Sequence, residues 1–224
     1  MQVSDFDATQ SPPNPQQTRS RIPRVGIVGT GFVGSTTAYA LLISGTAAEI
    51  VLIDRDRRRA EGHVHDLRDA EVFSHTTRVV AGEFGDCCSA DVVIITTGVS
   101  QTGVKSRLDN LQESAAILKR LVLDVARHNP CGILLIASNP VDVLTYGAWK
   151  WSGLPARRVI GSGTTLDSSR FRRRLAERYG VAPDSVHAYC HWRAWRQPSS
   201  GAIFGSHSGT ASRGFVPGIG PSVR

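Results

Sequence analysis

Three glycines and one aspartate have the residue types and the spacing needed to hold a dinucleotide. Gly29, Gly31 and Gly34 form a G-x-G-x-x-G pattern, and Asp54 follows twenty residues later. The first glycine permits a tight turn, the second lets a pyrophosphate approach the backbone, and the third lets a helix pack closely on a strand. The carboxylate of Asp54 would accept hydrogen bonds from the adenine ribose hydroxyls. We therefore expect a dinucleotide-binding site, with an ordinary glycine-rich turn as the simpler alternative.

The acid in this pattern bears on the choice of cofactor. Asp54 favours NAD over NADP, because its negative charge would repel a 2′-phosphate on the ribose. Arginines at positions 55, 57, 58 and 59 complicate this prediction, although a solvated helix start is their simpler explanation. NAD is the predicted cofactor. The residues expected to contact it are Gly29, Gly31, Phe32, Val33, Gly34, Asp54, Thr97, Gly98 and Asn139.

The elements that must position these residues alternate between strands and helices. Apolar runs predict strands at 24–28, 50–54, 78–82, 91–98 and 132–137. Helices are predicted from about residue 32, over 55–73 and over 108–128. This alternation, opened by the glycine pattern, is typical of a Rossmann-type, doubly wound parallel α/β sheet. Such sheets bind ligands beyond the carboxyl ends of their strands, which places the expected site after Ile53, Thr97 and Ala137.

Composition argues against several classes of function. The formal net charge of +7 suggests nucleic-acid binding, but residues 185–224 hold four arginines without an acid, and no basic stripe is interleaved with aromatic residues. No apolar run is long enough for a signal peptide or a membrane span. Cysteines 87, 88, 131 and 190 lack metal-ligand spacing. We predict reduced thiols in the cytoplasm, with no metal and no nucleic-acid or membrane partner.

Three further segments carry a resemblance to a known family. They are GVSQTGVKSRL at 98–108, SNPVD at 138–142 and GSGTTLDSSRF at 161–171. Together they resemble the L-lactate dehydrogenase family, to which malate dehydrogenases are related, and the match runs from about residue 24 to 189. The resemblance implies hydride transfer between a nicotinamide and a small 2-oxo or 2-hydroxy acid, pyruvate or lactate. It also implies a homo-oligomer, a tetramer or dimer, although some of the surfaces involved would lie beyond the matched region.

The resemblance assigns roles to three polar residues near the expected site. Arg107 is implied to lie on a mobile loop that closes over the substrate, where its guanidinium stabilises charge developing on the carbonyl oxygen. Gln101 stands where malate dehydrogenases carry arginine, and its neutral amide suits pyruvate better than a second carboxylate. Asn139 is implied to bind a substrate oxygen or the nicotinamide ribose. A simple turn residue before Pro140 is the alternative for Asn139.

Two residues of the third motif complete the implied substrate site. Arg170 resembles the family's bidentate clamp on the substrate carboxylate, and Asp167, on the same helix face, resembles the acid that orients the catalytic histidine. An ordinary ion pair on a helix surface is the alternative. The predicted catalytic residues are therefore Arg107 and Asp167, and the predicted substrate-binding residues are Gln101, Arg107, Asn139 and Arg170.

The family pattern breaks after Tyr189. The family continues with two apolar residues and Gly-Glu-His-Gly-Asp, whose histidine is the general acid and base, whereas this chain reads CHWRAWRQ at 190–197. Tryptophan has a single codon, TGG, so reading one base later turns Trp192 and Trp195 into glycines and permits Glu-His between them. We interpret residues 190–224 as an out-of-frame tail after a one-base insertion, with Ala194 in the histidine's place. A genuinely divergent tail is the alternative.

These observations predict four segments in the chain of 224 residues. Residues 1–22 are a disordered leader, 23–165 an NAD-binding Rossmann domain, 166–189 the start of an incomplete α+β substrate domain, and 190–224 a disordered, out-of-frame tail. The predicted function is that of an NAD-dependent L-lactate dehydrogenase whose activity is lost as translated, because the histidine is missing. Malate dehydrogenase and a non-catalytic NAD-binding remnant are the alternatives.

Overall fold

The computed structural model describes residues 22–74, 77–98, 107–190 and 203–204, and for residues 107, 108, 203 and 204 it describes the backbone alone. The predicted leader, except for Ile22, lies outside the described residues. The predicted tail also lies outside them, except for Cys190 and residues 203–204.

Strands and helices alternate as the sequence predicts. The strands are β1 (Arg24–Val28), β2 (Glu49–Ile53), β3 (Arg78–Ala81), β4 (Val92–Ile95), β5 (Ile133–Ile136), β6 (Val159–Gly161), β7 (Ala188–Tyr189) and β8 (Ile203–Phe204). The helices are α1 (Phe32–Ser44), α2 (Arg57–Asp69), α3 (Arg107–His128), α4 (Val141–Ser152) and α5 (Thr165–Tyr179). No helix in the described part of the chain is both long and apolar enough to cross a membrane.

Six strands form one sheet in the order β3-β2-β1-β4-β5-β6. β1 lies between β2 and β4 and pairs in parallel with both, so that Val28 is opposite Ile53 on one side and Ile95 on the other. The strand order reverses at β1, which is the arrangement of a doubly wound, Rossmann-type sheet. The predicted fold class is therefore confirmed. The reversal brings the carboxyl ends of β1, β2 and β4 together.

The described residues fall into two compact units. The first contains the residues up to Thr97 together with Leu123–Leu134, and the second contains Gly98–Val122 and the residues from Leu135 onward. The first unit has an apolar core, because β1, β2 and β4 are buried on both faces. Its fully buried side chains include those of Ile27, Leu42, Ile50, Leu52, Val79 and Ile95.

Most predicted boundaries differ from the observed ones by one or two residues, and two elements end three or four residues earlier than predicted. The helix predicted over 55–73 ends at Asp69, and a short 3-10 turn, Glu71–Phe73, follows it. Val72 and Phe73 are 85% and 83% exposed, so no buried apolar stripe continues the helix there. The strand predicted over 91–98 ends at Ile95, because β1 beside it ends at Val28 and the chain turns away at Gly29.

The second unit joins α5 to β7 through polar side chains. The guanidinium Nε of Arg172 donates to the carbonyl oxygen of Ala188 at 2.8 Å. The hydroxyl of Thr164 donates to the carbonyl of Cys190 at 2.6 Å, and the amide of Cys190 donates to Ser168 at 2.9 Å. β7 pairs with β8 in antiparallel over two residues. The predicted domain boundary at 165/166 stays a prediction.

Candidate functional site

The glycine pattern forms the turn between β1 and α1, and each glycine meets a different steric requirement. Gly29 has a φ of 99°, which a residue with a side chain rarely adopts. A Cβ at Gly34 would overlap the carbonyl oxygen of Gly29, so α1 can pack this closely only with glycine there. At Gly31, by contrast, no described atom lies within 4 Å of a Cβ position. In the G-x-G-x-x-G pattern, this is the space through which a pyrophosphate is expected to approach the second glycine.

The start of α1 has the character of an anion site. Gly31 is the N-cap, no described side chain caps the helix there, and the first turn carries no acidic residue. The first amide groups of a helix lack intrahelical partners and stand at the positive end of its dipole. Phe32 is 93% exposed and Val33 is 54% exposed beside them. These features are compatible with a dinucleotide's diphosphate, and its binding at this loop stays a prediction.

Asp54 follows β2 and is bound to the glycine loop. Its Oδ2 accepts hydrogen bonds from the backbone amide of Thr30 at 2.7 Å and from the Thr30 hydroxyl at 2.8 Å. Its Oδ1 accepts a hydrogen bond from the backbone amide of Asp56 at 3.0 Å. Partial burial raises the pKa of Asp54, but these hydrogen bonds and the charge of Arg59 outweigh it and hold the pKa below its ordinary value. The carboxylate is therefore charged at neutral pH, which is compatible with its predicted contact with the ribose hydroxyls.

Two threonines belong to this site that the sequence analysis missed. Thr30 is fully buried and binds Asp54 with two groups. The hydroxyl of Thr96 donates to the carbonyl of Gly29 at 2.7 Å and lies beside Gly34. Thr30 occupies a position that the glycine pattern leaves unspecified, and Thr96 is remote in sequence. No local signal identifies either residue.

The arginines that follow Asp54 lie on the exposed start of α2. Arg57 forms ion pairs with Glu61 at 2.9 Å and with Glu83 at 3.2 Å, and Asp56 caps the helix. This arrangement fits the interpretation of a solvated helix start. Arg59 is also exposed, and its charge acts on Asp54. The preference for NAD over NADP stays a prediction.

The predicted substrate residues that the structure describes lie in the second unit. Arg170 and Asp167 form an ion pair at 3.4 Å on α5, and their side chains are 69% and 60% exposed. Asn139 is exposed, follows β5 and precedes Pro140 through a cis peptide bond. Gln101 and Ala194 lie outside the described residues. For Arg107, the first residue of α3, the side chain lies outside them too.

A cavity of about 720 Å³ lies elsewhere in the second unit. Its lining includes Ser162, Thr165, Ser169, Arg172 and Tyr189, but neither Asp167 nor Arg170. The structure therefore brings the predicted cofactor residues of the first unit together, and it pairs Asp167 with Arg170. It does not connect the predicted substrate residues with this cavity.

Comparison with known proteins gives consistent matches over the same part of the chain. Residues 23–161 match the family described as lactate/malate dehydrogenase, NAD binding domain. L-lactate dehydrogenase 2 of Enterococcus faecalis is 47% identical over 167 residues, which are 74% of this chain and 53% of that protein. L-lactate dehydrogenase of Thermus aquaticus is 49% identical over 166 residues, which are 74% of this chain and 54% of that protein.

Solved structures agree with these relatives. A lactate dehydrogenase from a Medee basin deep-sea metagenome library has a TM-score of 0.73 and 45% identity, covering 76% of this chain and 55% of that one. The minor L-lactate dehydrogenase of Enterococcus mundtii, in its ligands-bound form, has a TM-score of 0.75 and 42% identity, and the match covers 82% of this chain and 58% of that one. The chain thus spans about half the length of the curated relatives it matches.

Proposed function

Because the chain belongs to the lactate/malate dehydrogenase family and contains its NAD-binding domain, we propose that it binds NAD at the loop between β1 and α1. One observation carries the proposal: the open Gly31 and the uncapped α1 lie beside Asp54, which the loop residue Thr30 holds. The backbone amides would bind the pyrophosphate, and Asp54 would accept a ribose hydroxyl. Phe32, Val33, Thr97, Gly98 and Asn139 would complete the contacts.

The proposed reaction is the reduction of pyruvate to L-lactate. Bound NADH would supply the hydride. Arg170 would hold the substrate carboxylate, and the ion pair with Asp167 at 3.4 Å is exposed and weak enough to be replaced by that contact. Arg107 would stabilise negative charge on the carbonyl oxygen. The neutral amide of Gln101 would tolerate the methyl group of pyruvate next to it. It would leave the second carboxylate of oxaloacetate without a cationic partner, which disfavours that substrate.

We propose further that the chain as translated does not catalyse the reduction of pyruvate. Reduction of a ketone needs a proton for the new hydroxyl, and the family's histidine would supply it. By the family pattern Ala194, which has no titratable group, stands at that place, so no imidazole from that position would be available for Asp167 to orient. A one-base insertion near codon 190 remains our explanation. Homo-oligomerisation and a cytoplasmic location also stay predictions.

Binding and turnover are tested separately on the full chain. NADH fluorescence titration should show saturable binding to the wild type and at least tenfold weaker binding to Asp54→Ala. Asp69→Ala, which removes an exposed acid at the end of α2, is the matched control and should bind as the wild type does. Binding that is unchanged in Asp54→Ala would overturn the proposed cofactor site.

The reaction is tested with pyruvate and NADH. We expect no turnover by the chain as translated, and turnover by a protein made from the frame-restored gene. Re-reading the coding DNA through codons 187–200 comes first, since it decides whether the insertion belongs to the gene. Turnover by the chain as translated would contradict the role given to the missing histidine. Preference of the restored enzyme for oxaloacetate would make malate dehydrogenase the better assignment.

A further inference from the structure

Thr30 is bound to Asp54 in a way that the glycine pattern does not require. Both its backbone amide and its hydroxyl donate to the same carboxylate oxygen, Oδ2, at 2.7 and 2.8 Å. Thr30 is fully buried, so both donor groups are shielded from solvent on their own side, while the Asp54 carboxylate that accepts them is half-buried. The amide of Asp56 donates to the other oxygen, Oδ1, at 3.0 Å. The carboxylate is therefore held on both sides by neighbours within the first unit.

This arrangement limits what Asp54 can offer a ligand. An ionised carboxylate has about four lone-pair sites, two on each oxygen. The described donors fill both sites on Oδ2 and one on Oδ1. One site on Oδ1 is left for a ribose hydroxyl. Movement of the carboxylate out of its observed position would break the two hydrogen bonds to Thr30.

We propose that Thr30 is a positioning residue that holds the Asp54 carboxylate in place and thereby sets the preference for NAD over its 2′-phosphorylated form. The inference rests on the NAD binding proposed above. A ribose 2′-phosphate would meet a negative charge that cannot turn aside while Thr30 holds it. Arg59, whose charge acts on Asp54, stands exposed on α2 and could pair with the phosphate once the carboxylate moved. Discrimination between NAD and its 2′-phosphorylated form therefore depends on Thr30 as well as on Asp54.

The test uses the full chain and substitutes Thr30→Val, which keeps the side-chain shape and the backbone amide but removes the hydroxyl. Dissociation constants for NADH and NADPH are measured by fluorescence titration. We expect NADH to bind about fivefold more weakly and the ratio of the NADPH constant to the NADH constant to fall about tenfold. Thr30→Ala is a second variant if valine is not accommodated. Thr30→Ser, which restores a hydroxyl, should restore the ratio.

Thr77→Val is the matched control. Thr77 is also buried, and its hydroxyl donates to the carbonyl of Ala47 at 2.7 Å, just before β3 and away from the carboxyl ends of the strands. The Thr77→Val variant should be less stable than the wild type, but its ratio of the NADPH to the NADH dissociation constant should be unchanged. Equal weakening of NADH and NADPH binding by Thr30→Val would show a purely structural role and overturn the inference. A wild type that binds neither nucleotide would overturn the proposed function and this inference with it.

Discussion

The hydroxyl of Thr96 donates a 2.7 Å hydrogen bond to the carbonyl oxygen of Gly29. The same hydroxyl and the same carbonyl border the position that a Cβ would take at Gly34. The end of β4, the turn after β1 and the first turn of α1 are thus packed against one another. No methyl group can enter without displacing backbone.

Alanine substitutions should therefore separate the folding role of one glycine from the binding role of another. Gly34→Ala should cost about 2–3 kcal/mol of unfolding free energy, because its Cβ would overlap a backbone carbonyl. Gly31→Ala should cost less than about 1 kcal/mol. It should nevertheless weaken NADH binding at least tenfold, since its Cβ would enter the space proposed for the pyrophosphate. Urea unfolding and fluorescence titration measure the two quantities.

Gly62→Ala is the matched control for this pair. Gly62 lies inside α2 with no described atom within 4 Å of its Cβ position. The substitution should raise stability by about 0.5–1 kcal/mol, because alanine loses less backbone entropy than glycine in a helix. If Gly34→Ala were as stable as Gly62→Ala, the close packing of α1 on the turn would be refuted.

Substitution of Asn129 should lower the stability of the first unit, because its side chain binds three backbone groups. Its side-chain amide donates to the carbonyls of Cys87 and Ala90, both at 2.7 Å, and its Oδ1 accepts the amide of Gly132 at 2.8 Å. Asn129→Leu keeps the volume but leaves three buried or half-buried backbone groups without this partner. We expect a loss of roughly 3 kcal/mol in urea unfolding. Stability equal to that of the wild type would show that shape alone matters at this position.

The adjacent cysteines should react very differently with alkylating reagents. Burial, aided by the negative charge of Asp86, raises the pKa of Cys87 to about 12, while Cys88 is exposed. At pH 8 only about one Cys87 thiol in ten thousand would be ionised, and the thiolate is the reactive form. Iodoacetamide followed by peptide mass spectrometry should label Cys88 within minutes and Cys87 only after unfolding in urea. Equal labelling rates in the native protein would contradict the burial of Cys87.

Stability should depend on pH through Asp54. The folded-state pKa of its carboxyl lies below the ordinary value, so the unfolded chain binds the proton more readily. The stabilising contribution is present above the unfolded pKa and is lost as the pH falls through the folded pKa. Urea unfolding of the wild type and Asp54→Asn should differ most near neutral pH, and the difference should shrink below about pH 4. A stability difference between the two proteins that grows as the pH falls would contradict a lowered pKa of Asp54 in the folded state.

The sequence predicts the parts of this fold that depend on local rules. The turn at Gly29, the start of α1 at Phe32 and the alternation of strands with helices follow from backbone sterics and hydrophobic periodicity, and the structure confirms them. The end of α2 at Asp69 could not be predicted, because it depends on whether Val72 and Phe73 find a buried surface. Thr30, Thr96 and Asn129 acquire their roles from partners 24 to 67 residues away.

Hydrogen bonds between the glycine turn and the end of β2 join the proposed diphosphate-binding loop and the proposed ribose-binding acid into one structural unit. The amide of Gly29 donates to the carbonyl of Ile53 at 2.7 Å, and the next residue, Thr30, binds the side chain of Asp54. A protein engineer who replaces Asp54 to change the cofactor therefore also removes a support of the turn itself. Such a redesign has to supply a new acceptor for the amide and hydroxyl of Thr30 along with a new partner for the ribose.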